Sequence, residues 1–231
     1  MFSSKRQKVR AAIFDLDGTL LNTLPSLVKA CNETLARLGL PSIDSLMIET
    51  FLGGGLRVLI ERMMAVSGVK DRSMIDQAYR IFAEIYPSFS SYQVRPFEGI
   101  PAMLDEVASM GLKLAVLTNK IDKVTPDVIA SSFPSGLFSA VRGARRFVPL
   151  KPDPTSAFSI LRKLKANPAD SFFIGDSDID ILTGRAAGMQ TIAVTWGFRP
   201  RQELEALAPD LLAETPDEIV DYIRRMLTTP S

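Results

Sequence analysis

Apolar and polar positions divide the chain into two kinds of territory. Four short runs, AAIF before Asp15, LAVL before Thr118, FFIG before Asp176 and TIAV before Thr195, are apolar throughout and pass at once into polar or glycine residues. Unbroken rather than alternating hydrophobicity is the pattern of a strand covered on both faces. Between them, PAMLDEVASMG (101–111) and PTSAFSILRKLKA (154–166) read as helices, the first with proline early and glycine at its end, the usual asymmetry of helix termini. Strand–helix–strand alternation predicts an α/β fold on a doubly wound parallel sheet. Ligands of such sheets bind beyond the carboxyl ends of the strands, and all four runs deliver their polar groups there.

A second territory, about 24–93, carries no strand signal. LPSLVKACNETLARLG, LRVLIERMMAVSG and MIDQAYRIFAEIY have the spacing of amphipathic helices. The pattern predicts an all-helical insert over 24–93 inside a core built from 1–23 and 94–231. Linkers fall at 22–25 and 93–96, the second marked by Pro96.

Composition narrows the chemistry. The chain has 231 residues, 46% hydrophobic and 23% charged, enough apolar content to fold without disorder. With 27 basic and 26 acidic residues the formal net charge is +1, which gives no global field for nucleic acid or anionic lipid. No apolar run approaches the roughly 18 residues of a membrane span, and the basic start MFSSKRQKVR is not followed by a signal-peptide core. The single cysteine, Cys31, leaves no disulfide pair and suits a reducing, cytoplasmic setting. Histidine is absent, so a Ser-His-Asp triad and a His-ligated zinc are excluded. Acid–base work falls to carboxylates or lysine, and any metal needs oxygen ligands, which favours magnesium or calcium.

DLDGTL puts Asp15 and Asp17 one residue apart at a strand end, where both can face one pocket. Gly18 and Thr19 turn the chain there and can offer amides to a phosphate. GDSDID begins like an EF-hand loop, but Ile181 stands at the glycine position and Ala187 at that of the bidentate glutamate, so a calcium hand is excluded. FLGGGLRVL places Gly53, Gly54 and Gly55 before a helix. It fits neither a Walker loop nor GxGxxG. It reads as a flexible turn, or as a specificity loop in which the Gly54 amide and Arg57 meet an anionic group. Asn119 reads equally as a turn former or a ligand contact.

DLDGT resembles the signature of the haloacid dehalogenase-like hydrolase superfamily, and the other three motifs follow in order: TNK at Thr118, KPDP around Lys151, and GDSDID with Asp176 and Asp180. The resemblance runs from about Val9 to Met226. It implies a Rossmann-like core with an inserted helical cap. It further implies Asp15 as a nucleophile that forms an aspartyl-phosphate, and Asp17 as the acid for the leaving oxygen and later the base for water. Mg2+ would be held by Asp15, the Asp17 carbonyl and Asp176. Lys151 and the Thr118 hydroxyl would hold the phosphoryl oxygens, and Asp180 would orient Lys151 or a metal-bound water. Dehalogenases lack a carboxylate at the Asp17 position, so its presence points to phosphate chemistry.

The helical insert, TNK, KPDP, GDSxxDI, RAAGM and WGFRPRQELEALAPD are most similar to phosphoglycolate phosphatases. The resemblance thus implies a magnesium-dependent phosphoric monoester hydrolase for a small phosphorylated metabolite, phosphoglycolate first, acting as a monomer or homodimer without nucleic acid or membrane. Pyrophosphatases, sugar-phosphate phosphatases and nucleotidases share these motifs. A mutase of the superfamily would use a cap-hinge histidine and a phosphonatase a Schiff-base lysine, where only Lys29 and Lys70 stand in the insert. A non-catalytic binding protein of the same fold stays open. Asn22 departs from the aspartate of many relatives and bears on the hinge.

Overall fold

The four apolar runs become neighbouring parallel strands. The computed structural model describes residues 9–228; residues 1–8, which hold most of the basic start, and 229–231 lie outside the described residues. In chain order the elements are β1 (Ala11–Phe14), β2 (Leu21–Asn22), α1 (Leu24–Arg37), α2 (Ser45–Glu49), α3 (Gly55–Val66), α4 (Arg72–Phe89) and β3 (Arg95–Pro96). Then follow α5 (Ile100–Ser109), β4 (Lys113–Ile121), α6 (Thr125–Ser132), β5 (Ala140–Ala144), α7 (Thr155–Leu164) and β6 (Phe172–Gly175). The chain ends with α8 (Asp178–Ala186), β7 (Gln190–Val194), α9 (Arg201–Ala206), β8 (Leu211–Ala213) and α10 (Pro216–Thr228).

One six-stranded sheet has the order β5-β4-β1-β6-β7-β8, and every pairing in it is parallel. Each central strand is covered twice, as its composition requires. Ala12 and Phe14 of β1 face the cluster built with Leu104 and Val107 of α5 and Ile219 and Ile223 of α10. Ala11 and Ile13 face Ile160 and Leu161 of α7 on the other side. Successive strand residues point to opposite faces, so four consecutive apolar residues serve two cores. The edge strands β5 and β8 carry no such run: AVRGA is only partly buried, and LLA is three residues long.

The chain leaves the sheet along β2 and returns along β3, and these pair antiparallel, Leu21 with Pro96 and Asn22 with Arg95. Between them lie only helices and loops. Asn22 Oδ1 accepts the amide of Leu24, the first residue of α1, at 3.2 Å. Asp71 caps α4, accepting from Ser73 at 2.6 Å; such caps satisfy amides that the first helical turn leaves bare. The helical stripes meet in their own core of Leu35, Ile60, Met63, Phe82 and Tyr86. Truncating a buried phenylalanine such as Phe82 to alanine typically costs about 3–5 kcal/mol. Cys31 is buried in this core, which pushes its thiol up to about 12. The same cluster takes in Val124 and packs against Ile121 and Phe198, so it reaches over the ends of β4 and β7. No helix among the described residues is long and apolar enough to cross a membrane.

Candidate active site

Asp15, Asp176, Lys151 and Asp180 meet at the carboxyl edge of the sheet. Asp15 follows β1 and is fixed by its amide on the Ile174 carbonyl at 2.9 Å. Lys151 Nζ lies 2.8 Å from Asp15 Oδ1 and 2.6 Å from Asp180 Oδ1. The first is an ion pair without hydrogen-bond alignment, since Asp15 Oδ1 accepts no hydrogen bond from the described residues. Asp180 sits in the first turn of α8 and is 1% exposed. Its Oδ2 takes the Ser177 amide at 3.1 Å and hydroxyl at 2.6 Å, so one carboxylate both caps a helix and aims the lysine. Of the two expected partners for Asp180, the structure supplies Lys151. Asp176 accepts the Thr19 hydroxyl at 2.8 Å and the Phe198 amide at 2.9 Å. Asp178 is half exposed, with Arg199 Nε 3.9 Å away.

Carboxylate oxygens of Asp15, Asp176 and Asp180 lie within 4.8 Å of one another. One ammonium cannot balance three buried carboxylates. Burial, and then the charges of Asp180, Asp176 and Asp17, push Asp15 up to about 8 against the pull of Lys151. Burial and Asp180 push Asp176 up to about 7, opposed by the Phe198 and Thr19 hydrogen bonds. Burial also works against the Lys151 ammonium, but Asp15 and Asp180 outweigh it and raise its pKa. An oxygen-only donor set with surplus negative charge, and one buried oxygen that accepts no hydrogen bond, fits a hard divalent cation. Asp180 is the most committed of the three, accepting from the Lys151 ammonium and from the Ser177 amide and hydroxyl, against two neutral donors on Asp176.

Gly18 has a role other than the expected anion contact. Its amide donates to the Leu21 carbonyl at 2.9 Å. Its φ is +86°, and a Cβ there would stand 2.3 Å from Asp176 Oδ2, so glycine lets the loop lie against the acidic cluster. Thr19 likewise acts through Asp176.

On the other flank, Asp17 Oδ1 accepts from Lys120 Nζ at 2.9 Å, and Lys120 also donates to the Tyr86 hydroxyl of α4. The two residues before it, Thr118 and Asn119, are also buried. Burial opposes the Lys120 charge, but Asp17 and Tyr86 outweigh it and raise its pKa. Sequence reasoning took Thr118 and Asn119 from TNK and passed over Lys120. β4 runs on to Ile121, beyond the apolar run, and makes this lysine interior.

A cleft opens between the sheet edge and the helices, with Asp15, Asp17, Thr118 and Asp176 on its floor. Asn119 is inward but saturated: its Oδ1 accepts the Lys151 amide at 2.9 Å, and its Nδ2 donates to the Lys151 and Gly53 carbonyls, each at 3.1 Å. It shapes the turn and ties the two regions together. Two candidate residues of the helical unit lie apart from the cleft lining. Gly53 and Gly55 line the cleft and Gly54 does not; Gly54 is the N-cap of α3, with Val58 packed over it. Arg57 is exposed on α3, bound to Glu61 at 2.7 Å and Asp76 at 2.6 Å, outside the cleft lining. The guanidinium at the rim belongs to Arg199, whose Nη2 donates to the Leu52 carbonyl.

Residues 12–194 match the family model described as haloacid dehalogenase-like hydrolase. A phosphoglycolate phosphatase of Psychrobacter arcticus is 31% identical, with 91% of this chain and 94% of that protein aligned. An N-acetylmuramic acid 6-phosphate phosphatase of Pseudomonas aeruginosa is 30% identical over 96% of this chain and 98% of that protein. Among solved structures, a haloacid dehalogenase-like family hydrolase from Streptococcus pneumoniae superposes with a TM-score of 0.82, at 27% identity, over 93% of this chain and 98% of that one.

Proposed function

The chain belongs to the haloacid dehalogenase-like hydrolase family, and from that premise we propose a magnesium-dependent phosphatase that hydrolyses small phosphorylated metabolites through an aspartyl-phosphate on Asp15. The observation that carries this reading is the buried Asp15 carboxylate at the end of β1, ion-paired to Lys151 at 2.8 Å and clustered with the oxygens of Asp176 and Asp180. A nucleophile needs a lone pair that is held in place and not consumed.

Asp15 attacks phosphorus, and the bond to the leaving oxygen breaks. Asp17, fixed by Lys120 at 2.9 Å, gives its proton to that oxygen and afterwards takes one from the water that cleaves the acyl-phosphate. Lys151, aimed by Asp180, and the Thr118 hydroxyl hold the phosphoryl oxygens as charge shifts between them. Asp15, Asp176 and the Asp17 carbonyl would hold magnesium, which would supply positive charge against those oxygens. Residues 24–93 act as a cap, with β2 and β3 as its hinge, and Tyr86, Gly53 and Leu52 make polar links to the core.

Phosphoglycolate appears in the name of the Psychrobacter relative and is the first metabolite to assay. The test of the reaction itself is phosphate release from p-nitrophenyl phosphate with magnesium and with chelator. Release only with magnesium is expected; none under either condition would overturn the reading.

A further inference from the structure

The wall that the helices add to the cleft is apolar where a leaving group would lie. Leu27, Leu56, Leu59 and Phe82 come from α1, α3 and α4, and Phe198 faces the same space from the loop after β7. Among the described residues only two basic side chains line the cleft, Lys120 and Arg199. The Lys120 side chain is 2% exposed, and its ammonium is shared between Asp17 and Tyr86. Arg199 Nη2 donates to the Leu52 carbonyl, and its Nε stands 3.9 Å from the half-exposed Asp178. Arg57 stands outside, between Glu61 and Asp76.

A second anionic group on the substrate would therefore face Asp15, Asp17 and Asp176, with Arg199, already tied to the Leu52 carbonyl, as the one cation at the rim among the described residues. Burying a carboxylate without a partner is costly, whereas each methylene removed from water favours binding by about fourfold. We infer that this site prefers phosphate monoesters whose leaving group is uncharged and carries an apolar face larger than two carbons, over phosphoglycolate. The inference rests on the phosphatase reading and adds the substrate class to it.

The test is kcat/KM with magnesium for ethyl, butyl and benzyl phosphate, phosphoglycolate, and p-nitrophenyl phosphate as reporter of the machinery. The alkyl series should climb by about fourfold per methylene while the cleft fills. Phosphoglycolate should fall at least about tenfold below butyl phosphate. Leu56→Arg, which brings a cation to the wall, should raise the phosphoglycolate-to-butyl ratio by about tenfold or more. A flat alkyl series, or phosphoglycolate as best substrate with selective loss in Arg199→Ala, overturns the inference while turnover of p-nitrophenyl phosphate leaves the phosphatase standing. No turnover of any ester removes both.

Discussion

The floor of the cleft and its helical wall are fixed by different forces. On the floor, Lys151 answers Asp15 and Asp180, Ser177 answers Asp180 again, and Thr19 and Phe198 answer Asp176, at distances of 2.6 to 3.1 Å. Directional bonds among buried charges hold atoms in place and are costly to leave half made. The wall has Leu27, Leu56, Leu59 and Phe82, held by apolar contact that depends on area and little on angle. Few polar links join the two: Tyr86 to Lys120, Gly53 to Asn119, and Leu52 to Arg199. Rigid geometry thus sits where every phosphate ester needs the same chemistry. A side-chain surface that can change without disturbing that geometry sits where substrates differ.

The floor breaks first and furthest at its nucleophile. Asp15→Asn keeps the shape and removes the attacking charge, so kcat should fall by about 10⁴-fold or more. The melting temperature of the cation-free protein should hold, because the amide also ends the repulsion from Asp176 and Asp180 that raises the Asp15 pKa. Circular dichroism beside initial rates separates the two effects, and a rate within about tenfold of wild type would remove Asp15 from the nucleophile's role.

The joint between floor and wall comes next. Lys120→Met leaves Asp17 without its 2.9 Å partner, so proton delivery to the leaving oxygen should suffer. The value of kcat/KM for an alkyl phosphate, whose alkoxide needs that proton, should drop by about 10²-fold. p-Nitrophenyl phosphate, whose phenolate leaves unaided, should stay within about threefold. Equal losses on both substrates would reduce Lys120 to a support for the shape of the cleft.

A smaller, conditional effect separates the floor by its charge. Burial raises Asp15 and Asp176 from 3.8 to about 8 and about 7. A carboxyl raised on folding adds stability below its unfolded value and loses it as pH climbs through its folded value. The cation-free fold should therefore weaken between about pH 4 and pH 8. Magnesium takes the deprotonated carboxylates, so its gain in melting temperature should be larger at about pH 8 than at about pH 5. A gain that is flat or falls with pH would place the cation elsewhere.

The floor was legible in the sequence because each of its groups directly follows an apolar run: Asp15 after AAIF, Thr118 after LAVL, Asp176 after FFIG. Strand burial and strand ends leave a local mark. The wall left no such mark. Lys120 becomes interior only through partners 103 and 34 residues away, a pairing that periodicity cannot express. β5 and β8 escaped notice for a related reason, since edge strands are covered too little to need an unbroken apolar run. Gly18 was marked correctly as a turn, but its close approach to Asp176 depends on two chain segments meeting. The outward side of α3, by contrast, was readable. Leu59, Ile60, Met63 and Met64 are its buried residues, and Arg57 has Glu61 one turn further along.

Arg57→Ala is the smallest expected effect and the sharpest check on where the wall ends. The side chain is exposed, spends its donors on Glu61 and Asp76, and lies over Tyr79 at 6.0 Å. Exposed pairs of this kind contribute little to folding because water competes for both partners. With no atom in the cleft lining, the guanidinium has no path to substrate except by abandoning two carboxylates at once. The kcat/KM for phosphoglycolate and for butyl phosphate should each stay within about twofold of wild type, and their ratio should not move. A selective loss on the doubly charged ester would mean that α3 turns this face toward the cleft during turnover, and the wall would then carry a cation after all.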